Sequence, residues 1–181
     1  MLPQVQECLR ELELRPTDID AVVSGIGPGP FTGLRVGMVT ARTFADAVGV
    51  PLYGVCSLDA MAAAVARAEE PLLVATDARR KEVYWATYGA GGERSLGPEV
   101  SKPAALRELI DQGRVVATGA CGSALALYGD VLGLPAIESG VLYPTPAGLV
   151  QAAGPRLDER APGESPSPLY LRRPDVTLPV A

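Results

Sequence analysis

The sequence predicts an α/β protein, and three observations carry that reading. A short apolar run of strand length at 21–24 is followed by a longer stretch with helical spacing, and one at 72–76 by an alternating run at 83–88. Glycine and proline cluster where one pattern gives way to the next. The order is strand, helix, strand at the front, then a three-strand meander with crossover helices. Spacing alone permits more than one α/β sheet of this kind.

Residues 4–14 place Val5, Cys8, Leu9 and Leu12 on one helical face, and Pro16 stops that helix. A polar turn at 17–20 leads into a β-branched strand at 21–24. Then 25–30, GIGPGP, alternates φ-permissive glycine with φ-locked proline and breaks regular structure. A helix is expected from Thr32, whose hydroxyl can cap it, to Gly49 before Pro51. Its core stripe is Leu34, Met38, Ala41, Ala45 and Val48. Gly33, Gly37 and Ala41 form a second strip with almost no side chain. Two internal glycines cost about 1 kcal/mol each relative to alanine, so close approach of another backbone should offset them. That neighbour is either a helix of the same chain or another subunit.

After a strand at 52–55, an alanine-rich helix at 58–68 should link two lobes. A buried strand at 72–76, a charged turn at 77–81 and an alternating, half-exposed strand at 83–88 follow. A short strand is expected at 96–100 and a helix at 102–113, with Pro103 in its first turn and Gly113 at its end. Then come a strand at 114–118, a helix at 124–131 and a short strand at 141–143. A last helix at 145–153 is capped by Thr145. Residues 154–167 are proline, glycine and charge and read as a mobile arm; 168–172, PLYLR, is apolar enough to dock again.

Composition excludes several functions. The 181 residues are 48% hydrophobic, enough for a core, yet no apolar run approaches the ~20 residues that cross a bilayer. Net charge is −5 and the isoelectric point near 4.8, which disfavours direct binding of a phosphate backbone. Histidine is absent, so His-based acid–base chemistry, Ser-His and Cys-His nucleophiles and most zinc sites are excluded. Three scattered cysteines suggest reduced thiols, and the amphipathic, acidic start is unlike a secretion signal, so a cytoplasmic location is expected.

The glycine-rich turn lacks the Lys-Ser/Thr pair of a phosphate loop, and Pro28 and Pro30 remove two amide donors. A structural turn therefore fits it better than a nucleotide cradle. Asp77 and Arg79 adjoin an apolar strand. They are either a solvated turn or a contact for a ligand or partner at a cleft, where the planar fork of Arg79 suits a carboxylate or phosphate. No paired carboxylates are evident at hydrolytic spacing, and Tyr84, Trp85 and Tyr88 read as sheet packing. No catalytic or metal-ligating residue is assigned.

Residues 27–37, GPGPFTGLRVG, closely resemble the GPGSFTGLRIG signature of the TsaB (YeaZ) family. PLYGVCSL at 51–58, TDARRKEVY at 76–84 and PLYLR at 168–172 resemble that family's later segments, in family order. The resemblance implies an actin/hexokinase-like two-lobe fold. It also implies an opening strand and hairpin ahead of the first helix, so the first lobe is expected to be truncated. On that reading 1–56 is the remainder of the first lobe, 57–153 the second lobe, and 154–181 the arm.

The implied role is a non-catalytic subunit that binds TsaD and supports threonylcarbamoyl transfer to adenosine beside the tRNA anticodon. TsaE joins at the junction, tRNA is met only through the complex, and the chain alone homodimerises. ATP and metal are expected on partner subunits, with no cofactor on this chain. The implied partner-binding set is Gly33, Arg35, Val36, Gly37, Thr40 and Ala41. An actin-like, nucleotide-dependent phosphotransferase or hydrolase acting alone is the alternative.

Overall fold

The computed structural model describes residues 2–65 and 70–172. Helix α1 (Leu2–Glu11) and a short 3₁₀ turn (Pro16–Asp18) precede strand β1 (Val22–Gly25). Helix α2 (Phe31–Val48) returns the chain to β2 (Leu52–Val55), which lies parallel to β1 with Val22 opposite Leu52 and Gly25 opposite Val55. Helix α3 (Ser57–Ala64) leads to a four-stranded sheet made of β3 (Leu72–Asp77), β4 (Val83–Tyr88), β5 (Arg94–Ser101) and β6 (Gly119–Cys121). Helices α4 (Pro103–Asp111), α5 (Leu125–Leu132) and α6 (Pro146–Asp158) complete it. The sheet order is β5-β4-β3-β6, a meander to which β6 adds in parallel after the α4 crossover.

Alternation along β3 splits the core in two. Leu73 and Ala75 join Val83, Trp85, Leu106, Val115 and Leu132 on the α4–α5 face. Leu72 and Val74 join Tyr84, Ala86, Tyr88, Leu58 and Met61 on the α3 face. A third cluster, Val55, Ala60 and Ala153, packs α6 over α3 and the β1–β2 pair. A Cβ on Gly148 would strike the Ala60 carbonyl, so α3 and α6 meet backbone to backbone. Helix α3 is thus wedged between the two sheets.

Several elements differ from expectation. Helix α2 begins at Phe31, directly after Pro30, and no side chain caps it, so Thr32 is a helical residue and not the cap. Its end is as expected, with Gly49 at φ +77°. Strand β4 is buried along its whole length and not half-exposed, because α3 covers one face of the sheet and α4–α5 the other. Its polar atoms find partners: Trp85 Nε1 donates to Ser101 Oγ at 2.9 Å, and the Tyr88 hydroxyl donates to Asp59 at 2.8 Å.

Residues 114–118 are not a strand. The amides of Arg114 and Val115 both donate to the Leu109 carbonyl, closing the end of α4, and pairing with β3 starts only at Gly119. Residues 141–143 are irregular. Thr145 caps α6 as expected, its hydroxyl accepting from the Gly148 amide at 3.1 Å, but the helix continues through Pro155 to Asp158. Helix α3 ends at Ala64, and the predicted continuation at 66–68 lies outside the described residues.

From 161 onward the chain forms a strap across both units. Glu164 donates its amide to the Leu52 carbonyl at 2.8 Å and Leu169 to that of Ile26 at 2.8 Å. Arg156 holds the Glu164 carboxylate at 2.7 Å, which keeps it below the usual glutamate range. Arg172 pairs with Glu82 and donates to the Ala78 carbonyl, tying the strap to the β3–β4 turn.

Candidate functional site

Helix α2 is the element around which the candidate surfaces lie. Only Ala45 is fully buried on it, with Leu34, Met38, Ala41 and Val48 half-buried beside it, so the core stripe falls where its spacing places it. The opposite side faces solvent. Val36 is 52% and Val39 65% exposed, and Thr32 and Thr43 are exposed beside them. The Thr40 hydroxyl donates to the Val36 carbonyl at 2.8 Å, inside the helix, so its polarity is already satisfied.

The implied partner-binding residues do not form one patch. Gly33, Gly37, Thr40 and Ala41 share one flank, and Arg35 lies round the far side of Val36. Gly33 is exposed, and a Cβ built there meets nothing within 4 Å. No segment of the described chain therefore fills the space above it. Gly37 and Ala41 are half-buried. The exposed valine ridge runs between a bald flank and a cationic flank of Arg35 and Arg42. Arg42 is paired with Asp46 at 2.8 Å. The spacing of the glycines revealed the bald flank. Val39 and Thr43 were missed, although they stand three and seven positions from Val36, the helical signal for a shared face.

The bald flank also borders a cavity of about 840 Å³ between the two units. Its walls include Val5 and Leu9 of α1, Val23 of β1 and Phe44 of α2, with Ser57, Thr76, Asp77 and Ser123 as polar groups. Asp77 and Arg79 both line it, so the structure brings them together at the inter-unit cleft. Their ion pair is long, 3.9 Å, and Arg79 is solvent-exposed, so it contributes under about 1 kcal/mol. Asp77 instead accepts the Arg79 amide at 3.0 Å.

This holds an unusual turn. Arg79, Arg80 and Lys81 have φ of 63°, 55° and 59°, three successive non-glycine residues in the left-handed region. Such backbone costs roughly 1–2 kcal/mol per residue. The Ala78 amide to Glu82 carbonyl bond at 2.9 Å, its return from Glu82 to Arg79 at 3.0 Å, and Arg172 hold it closed.

The GPGPFTG turn is buttressed at Gly27, while Pro28, Gly29 and Pro30 line the cavity. The Ile26 amide donates to the Val55 carbonyl, and the Ser57 amide to the Gly27 carbonyl at 2.7 Å. Gly27 sits at φ +97° against Leu34 and the Leu169 carbonyl. Phe31 packs on Tyr170, with ring centroids 5.2 Å apart. The turn's own contacts thus account for Gly27, while a Cβ on Gly29 would meet nothing within 4 Å. Among the described residues no helix is long and apolar enough to cross a membrane.

Comparison with known proteins places this architecture. A family model described as TsaD, tRNA N6-adenosine threonylcarbamoyltransferase, matches residues 1–133. A Mycobacterium tuberculosis protein is 45% identical over 97% of this chain and 75% of its own length. The tRNA threonylcarbamoyladenosine biosynthesis protein TsaB of Escherichia coli is 34% identical over 95% of the chain and 79% of its own length. The chain spans 44% of a Mycobacterium leprae relative that is 46% identical to it. YeaZ from Pseudomonas aeruginosa superposes with a TM-score of 0.75 at 27% identity, covering 94% of this chain and 82% of that one. The fold is accordingly the actin-like one of YeaZ. With relatives named TsaB and YeaZ matched over almost its whole extent, the chain belongs to the TsaB (YeaZ) family.

Proposed function

We propose that this chain is a non-catalytic subunit of a cytoplasmic tRNA threonylcarbamoyladenosine system, docking a TsaD-type transferase through α2. The observation that carries the reading is the ridge of Val36 and Val39, solvent-exposed on a helix whose neighbouring Gly33 is open. Two exposed valines beside a bald flank let a partner helix approach closely and bury apolar area. The match of a TsaD family model supports a partner of related fold. Relatives named for threonylcarbamoyladenosine biosynthesis support the pathway. On this reading TsaD carries the chemistry, with its ATP and metal, and tRNA is met only through the complex.

TsaE would join at the junction, and Asp77 and Arg79 at the cleft are the proposed contact there for a ligand or a second partner. The same ridge would join two copies of this chain when TsaD is absent. The test is capture of the TsaD homologue encoded in the same genome. The wild-type chain retains it and Val36→Glu/Val39→Glu does not, while both melt within a few degrees of each other. Undiminished capture by the double variant rejects α2 as the docking surface. Tight calorimetric binding of magnesium-ATP by the chain alone would favour the self-sufficient enzyme instead.

A further inference from the structure

Arg35 stands at the edge of the valine ridge, and its setting differs from that of Arg42 one face-repeat further along. Arg42 is neutralised by Asp46, whereas among the described residues Arg35 has no carboxylate partner. Its Nε donates to the Tyr170 hydroxyl at 2.7 Å, and its guanidinium carbon lies 5.3 Å from the centre of the same ring. Tyr170 itself is anchored by the strap: the Leu169 amide is bonded to Ile26, Arg172 is paired with Glu82, and Phe31 packs against the ring. A side chain 135 positions away in sequence therefore orders an otherwise free arginine on α2.

We propose that Tyr170 is a positioning residue, holding Arg35 by Nε so that its terminal nitrogens receive a carboxylate of the docking partner. This rests on α2 being the docking face. Fixing the guanidinium plane through Nε leaves the two terminal nitrogens to form a charge-assisted contact with an Asp or Glu. Ordering that side chain before association removes part of the entropic cost of immobilising it. Arg35 lends positive charge to the rim of an apolar ridge on an acidic chain, so the matching partner surface is a helix carrying a carboxylate beside its apolar contact. The strap then belongs to the interface without touching the partner.

The test is a double-mutant cycle on affinity for the TsaD homologue, measured with the full chain at two salt concentrations. Tyr170→Phe keeps the ring and removes only the hydroxyl. It should weaken binding about three- to five-fold. Arg35→Gln should weaken it about tenfold and flatten the salt dependence. The double variant should bind no more weakly than Arg35→Gln alone. Equal loss from Tyr170→Phe in both backgrounds, or no loss at all, overturns the proposal. Val36→Glu/Val39→Glu runs alongside: if it abolishes capture while Tyr170→Phe is silent, the docking face stands and the positioning role falls. If neither changes affinity, the docking face falls and this inference with it.

Discussion

Gly122 shows how one residue fixes the junction between strand β6 and helix α5. Its φ is +109°, and a Cβ there would run into the carbonyl of Ala75 on the neighbouring strand and the Met61 side chain. Only glycine meets both conditions. Gly122→Ala should therefore lower unfolding free energy by about 2–4 kcal/mol, combining left-handed strain with overpacking, as read by urea denaturation.

The thiols separate by the same logic. Cys8 is exposed, while Cys56 and Cys121 are buried, and burial pushes the Cys121 thiol up to about 12. Cys56 is also raised, by burial first and the nearby Asp59 carboxylate second. Since the thiolate is the reacting form, a native-state thiol titration should count one fast-reacting cysteine, and denaturant should release two more. Fast reaction of Cys121 in the native protein would contradict the packing described for β6.

At the scale of elements, the strap is fastened to β2 by charge as well as by backbone. Arg156 reaches both the Glu164 carboxylate and the Gly54 carbonyl, at 2.7 and 3.0 Å. Because the folded Glu164 pKa lies below its unfolded value, the contribution is complete above the ordinary glutamate pKa of about 4.3. It is lost as pH falls through the lower folded value. The pair is partly exposed, so it contributes under about 1 kcal/mol. Melting curves of wild type and Glu164→Gln should differ by that small amount at pH 7 and converge once pH has fallen through the lowered folded value. A gap that stays undiminished as the carboxylate is titrated with acid would show that its charge is not what fastens the strap.

Elements differed in how much of them was legible in the sequence. Helices α2 and α4 announced themselves through apolar spacing and terminal glycines, Gly49 and Gly113, because those signals act within one helix. The burial of β4 was not legible: Thr87, Tyr84 and Tyr88 make it look half-polar. Only the fold supplies Ser95 and Asp59 as partners for Thr87 and Tyr88. Val115 and Val116 look like strand residues, yet two amides of that stretch are taken by the end of α4. On the surface the bald flank of Gly33 and Gly37 was visible as a period of four. The valine ridge and the hold of Tyr170 on Arg35 depend on which face the core leaves open and on chain returning from the far end.

For the molecule as a whole, α3 is the packed link between a βαβ unit and a four-stranded sheet, with the strap crossing both. The α2 ridge faces away from this scaffold. That arrangement leaves the ridge exposed, while the flank of Gly33 and Gly37 beside it borders the inter-unit cavity with Asp77 and Arg79. The central claim is that the ridge docks a transferase which performs the reaction. Threonylcarbamoyl transfer to tRNA, reconstituted from purified components, tests it most directly. Product should require both this chain and the TsaD homologue, with the remaining components supplied, and should fall at least tenfold with Val36→Glu/Val39→Glu. Product formed by this chain without TsaD, or undiminished by the ridge substitutions, would contradict the account.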